Sequence, residues 1–91
     1  MTYTAIFALE NPPYTVTFNL NGHGSGSTPS SQILDNTTGY YVTKPTDPTD
    51  NSYTFIGWFT NVQGTGNIWD FETDIVYEDI TLYAKWVNSA L

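Results

Sequence analysis

Residues 14–21 read Tyr-Thr-Val-Thr-Phe-Asn-Leu-Asn. Apolar Tyr14, Val16, Phe18 and Leu20 alternate with Thr15, Thr17 and Asn19, the period of a strand with one buried face. Asn21-Gly22 then predicts a turn. The Gly- and Ser-rich run from Gly22 to Ser31 reads as a mobile loop. Ser31–Leu34 resumes a short strand, with Asp35 to Gly39 as a turn and Tyr40–Lys44 as a further short β-type run. Pro45 and Pro48 exclude a central strand or helix interior, so Pro45 to Asn51 holds at most one turn of helix. Tyr53–Thr60 is strongly β-prone, and its interior Gly57 predicts a bulge or the close approach of a large side chain. Asn61 to Asn67 is a loop. Trp69, Phe71 and Ile75 fall among acids in an irregular or single-turn segment. Ile80–Val87 closes the pattern as a strand, with Ile80, Leu82, Ala84 and Trp86 on one face and Thr81, Tyr83 and Lys85 on the other.

The first residues echo the last strand. Thr2–Ala8 aligns with Thr81–Val87 at an offset of 79 residues, with apolar residues recurring at the inward positions Tyr3/Leu82, Ala5/Ala84 and Phe7/Trp86. Glu10-Asn11-Pro12-Pro13 follows as a linker. The expected organisation is therefore residues 1–13 as the end of a preceding copy plus linker, 14–87 as one repeat domain, and 88–91 as a tail.

Composition narrows the chemistry. The chain has 91 residues, room for one small domain. Aromatics reach 16% and charged residues only 12%, too few to dress the wet faces of even two long helices. A mostly β domain held by aromatic burial is expected. Nine acids against two lysines leave a net charge of −7, which argues against nucleic acid and against docking on an anionic membrane. No apolar run approaches the ~20 residues of a membrane span, so membrane insertion is not expected. The N-terminus carries no basic segment leading into an apolar one. Absence of Cys removes disulfides and thiolate chemistry, and the single His removes multi-His metal sites.

Several arrangements resemble chemical sites and fall short. Asp70, Glu72 and Asp74 alternate, but a calcium loop starting at Asp70 needs Gly and Glu where Ile75 and Thr81 stand. A solvated acidic edge, with Asp70 bonding local backbone amides, is the expectation. Gly22-His23-Gly24-Ser25-Gly26 lacks the third glycine of a dinucleotide loop, which would be Ser27, and no helix start follows. His23 is expected to be simply exposed. No catalytic, cofactor or metal residues are assigned, and no cofactor is expected. The tryptophans Trp58, Trp69 and Trp86 either form the core or stack on sugar rings. The in-phase positions of Trp58 and Trp86 favour the core. Tyr40, Tyr41 and Tyr83 are the candidates for a partly exposed partner-contact patch, because Tyr tolerates one wet end.

Four motifs occur in order: Tyr14–Phe18 with Asn21-Gly22 after it, Tyr53–Phe59, Trp69–Phe71 and Asp79–Trp86. Together they resemble the Listeria–Bacteroides repeat, also called the internalin B-repeat, over roughly residues 14 to 87. The resemblance implies an α+β, mostly β fold: a small β-grasp-like (ubiquitin-like) mixed sheet with a short or degenerate helix. It implies no enzyme, but a repeat module of a secreted or cell-wall-anchored surface protein of a Gram-positive bacterium. The implied role is spacing, adhesion or host interaction. Its expected partners are adjacent repeats and a host surface protein or glycan. The alternative is a carbohydrate-binding module using exposed aromatics.

Overall fold

The computed structural model describes residues 13–90. The expected strand over Thr2–Ala8 lies outside them. Within them the chain forms β1 (Tyr14–Asn19), β2 (Gln32–Leu34), β3 (Tyr53–Phe59) and β4 (Ile80–Asn88), and no helix. The strands make one mixed sheet in the order β2-β1-β4-β3. The central pair, β1 and β4, is parallel, with Val16 opposite Ile80 and Asn19 opposite Tyr83. Both outer pairs are antiparallel. This is a β-grasp-like arrangement whose helix is replaced by irregular chain.

Alternation places the core on one face of the sheet. Val16 and Phe18 of β1, Leu34 of β2, Trp58 of β3 and Leu82 and Ala84 of β4 are buried. Each large side chain taken from water contributes about 1.5–3 kcal/mol. Two irregular segments cover this face, one bringing buried Val42 with Tyr40, the other buried Val76 with Trp69 and Phe71. The Val76 amide donates to the Tyr40 carbonyl (3.0 Å), tying the two segments together. A helix is excluded over the first by Pro45 and Pro48 and by the left-handed backbone at Gly39 and Tyr40 (φ 67° and 64°).

The β-type run at Tyr40–Lys44 does not become a strand. Tyr40 sits in the turn, and Thr43 finds its partner in a side chain instead. The Gln32 amide donates to the Thr43 carbonyl (2.7 Å) and accepts from the Thr43 N–H (2.9 Å). A side chain thus replaces a strand ladder and blunts the edge at β2. At the other edge, the Trp58 carbonyl accepts from the Trp69 amide (2.8 Å).

Gly57 meets both expectations attached to it. The β3–β4 register slips between Phe55 and Gly57, leaving Ile56 as the extra residue of a bulge. A Cβ on Gly57 would overlap the end of the Ile68 side chain and stand 2.7 Å from its Cγ1. Gly57→Ala is expected to destabilise the domain by about 1–3 kcal/mol through this clash. In an Ile68→Ala background the same change should cost clearly less. Urea denaturation of the four proteins of this double-mutant cycle measures the difference; equal costs in both backgrounds reject the contact.

Candidate functional site

The segments that do not follow strand periodicity are fixed by side chains reaching backbone groups. At the end of β1, Asn21 adopts φ 60° and its amide nitrogen donates to the carbonyls of Val62 (2.9 Å) and Ala84 (3.1 Å). The Trp86 indole N–H donates to the Leu20 carbonyl (2.8 Å). At the other end, the Asp79 carboxylate accepts from the Thr15 amide (2.8 Å). On the face away from the core, the Lys85 ammonium donates to the Gly64 carbonyl (2.9 Å) and lies 5.4 Å from the Phe59 ring centre. Phe59, which alternation places on this outer face, is therefore buried beneath the loop from 60 to 68.

The loop after Gly22 is more ordered than its composition suggests. The Asp50 carboxylate accepts from the Gly24 amide (2.7 Å), and the Thr49 carbonyl accepts from the Ser25 amide (2.9 Å). His23 is accordingly not a free loop residue. Its ring stacks on Tyr53 (3.8 Å between centres) and stands edge-on to Trp86 (6.2 Å). The expectation of an exposed His23 is corrected. The signal lay in Asp50, which is too distant in sequence for local reading to connect.

These loop carboxylates have a consequence for stability. The Gly24 amide, then that of Ser52, holds Asp50 below the usual carboxylate range. The Thr37 hydroxyl, then its amide, does the same for Asp35. A lowered folded value means that their contribution is complete above the unfolded value of about 4. It is lost as pH falls through the folded values. Thermal melts from pH 5 to pH 2.5 are expected to show a falling midpoint, with a shallower slope in Asp50→Asn. An unchanged slope in that variant rejects the assignment.

Tyr40 and Tyr41 are neighbours in the segment after β2, and Tyr83 is on β4. Tyr40 packs against the core and Tyr14, with ring centres 5.7 Å apart. Tyr41 beside it is exposed. Tyr83 lines a groove of about 800 Å³ that neither of the others lines. Trp58 is buried, and Trp69 and Trp86 pack half-buried against the core. The acids at 70–74 form a local turn. Asp70 accepts from the Glu72 amide (2.9 Å) and Asp74 from the Asp70 amide (2.8 Å).

The groove lies between Thr73–Asp79 and the outward positions Thr81 and Tyr83 of β4, with Thr60, Asn67 and Trp69 completing its wall. Tyr77 stands at its rim, 76% exposed. Asp74, Glu78 and Asp79 are its charged residues, and no basic side chain lines it. Sequence reading missed it because the 73–79 segment follows no strand or helix period that would show which side chains face β4.

The profile of the Listeria-Bacteroides repeat domain matches residues 14–85, which begins at the first residue of β1 and extends into β4. This chain belongs to the Listeria–Bacteroides repeat family. Internalin H of Listeria monocytogenes is 40% identical over 78 residues, covering 84% of this chain and 13% of that protein. Two proteins of Evansella cellulosilytica, described as a putative membrane protein and a putative Gly-rich membrane protein, are each 38% identical over 73 residues. They cover 80% of this chain and 10% and 8% of those proteins. The chain thus spans roughly an eighth or less of the length of these relatives. As a Listeria–Bacteroides repeat, it is a repeat module of the kind found in internalin-like surface proteins. Three of the four motifs of the repeat now have physical meanings: Asp79 holds the start of β1, Asn21 and Trp86 hold its end, and Gly57 admits Ile68.

Proposed function

We propose that this repeat is a non-enzymatic spacer in an extracellular bacterial surface protein, setting the distance of other domains from the cell wall. The parallel pairing of β1 and β4 carries this reading. Because the first and last strands run side by side in the same direction, the chain enters at one pole and leaves at the other. Successive copies then continue outward instead of doubling back. The 79-residue echo and the four-residue Glu10–Pro13 linker supply the repeat and its short joint. With a strand rise of about 3.3 Å per residue and an extended Pro-containing joint, each copy advances the chain by about 45–50 Å. Several copies also raise avidity for a host surface protein or glycan without strong individual contacts. Membership of a repeat family that includes a stretch of internalin H supports placement at the cell surface.

Small-angle scattering from a tandem of two copies tests this. The expected particle is longer than a single copy by about one such advance. A pair folded back to nearly the length of one copy rejects the spacer reading.

A further inference from the structure

We propose that the groove between Thr73–Asp79 and β4 is a docking site for a lysine-rich peptide segment. Its shape and its charge point the same way. Trp69, Tyr77 and Tyr83 give aromatic surface to an open groove of about 800 Å³. Asp74, Glu78 and Asp79 give it negative charge. Asp74 and Asp79 each commit one oxygen to a backbone amide, of Asp70 and Thr15, and among the described residues the other oxygen has no hydrogen-bond partner. The Glu78 carboxylate forms no hydrogen bond or ion pair among the described residues. Both lysines of the chain are engaged elsewhere, Lys44 with Asp47 (2.9 Å) and Lys85 with the Gly64 carbonyl.

An ammonium on an apolar stem matches this combination. The stem lies on ring faces, the charge is attracted by the ring quadrupole, and the carboxylates complete the pairing. A neutral sugar uses the rings and can donate its hydroxyls to the carboxylates, but it gains no ion pairing from their three charges. A second copy of the chain brings its own net charge of −7 and is repelled. The same net charge steers a cationic segment toward the module at long range. This proposal is independent of the spacer reading, since it concerns one copy and not the direction of the array.

The test is a titration of the isotopically labelled protein with hexalysine, followed by amide NMR shifts. A Gly-Ser hexapeptide, hexaglutamate and a chitin oligosaccharide serve as comparison probes. Shifts confined to residues 67–83 with hexalysine, weakening as salt is raised, are expected. Tyr77→Ala and Glu78→Gln should each weaken binding by about two- to fivefold. Glu72→Gln removes the same charge outside the groove lining and should leave binding unchanged. Equal weakening by Glu72→Gln and Glu78→Gln would show attraction to net charge alone and overturn the proposal. So would shifts scattered over the whole surface, or groove shifts with the oligosaccharide and none with hexalysine. Concentration-dependent dimerisation abolished by Tyr77→Ala would overturn it in favour of a second copy.

Discussion

Trp58→Ala is expected to remove between about a quarter and all of the domain's stability at 25 °C. Trp58 is 1% exposed and touches the rings of Phe18 (centres 5.0 Å apart) and Phe55 (5.3 Å), joining β1 to β3 across β4. Truncating a buried Trp costs about 3–5 kcal/mol. A domain of this size has a total stability of about 4–12 kcal/mol. The loss is therefore about a quarter of the total at best and all of it at worst. Trp58→Phe keeps part of the ring packing and should cost much less. Urea denaturation followed by far-ultraviolet circular dichroism gives the comparison. A Trp58→Ala midpoint within error of the parent would show that the core does not depend on this ring.

Asn21→Ala is the second large effect, and its cost comes from two sources that can be separated. The residue sits at φ 60°, where a side chain bearing Cβ without a local hydrogen bond costs about 1–2 kcal/mol. Its amide also satisfies the carbonyls of Val62 and Ala84, at about 1 kcal/mol per bond. The expected total is about 3–4 kcal/mol, combining both sources. Asn21→Gly keeps the backbone conformation and loses only the bonds, so it should recover roughly the first contribution. If Gly and Ala destabilise equally in equilibrium melts, the left-handed turn contributes nothing.

Strand periodicity was readable because each strand buries one face. Tyr14–Asn19 and Ile80–Asn88 show an alternating pattern that water enforces residue by residue, and Tyr53–Phe59 is legible from its β-prone residues although its bulge breaks the alternation. Gly57 was readable for a related reason: a glycine inside such a pattern must accommodate something, here Ile68. The connecting segments obey no such period. Tyr40–Lys44 has β-type composition, yet Gln32 supplies the partner that a neighbouring strand would have supplied. His23 sits in a Gly- and Ser-rich run, but Asp50, 27 positions further on, fastens that run and lets its ring settle on Tyr53. The acidic groove was equally hidden, because Glu78 and Tyr83 acquire their common wall only after Thr60 and Asn67 fold beside them.

The side-by-side course of β1 and β4 also decides how the module answers tension. A pull on Tyr14 and Asn88 in opposite directions runs along the strands, not across them. The ladder from Val16–Ile80 to Asn19–Tyr83 is then loaded in shear. Its hydrogen bonds must fail together, whereas a hairpin pulled open from its end surrenders them one at a time. Under such a load, each module would stay folded up to a threshold and then give way abruptly.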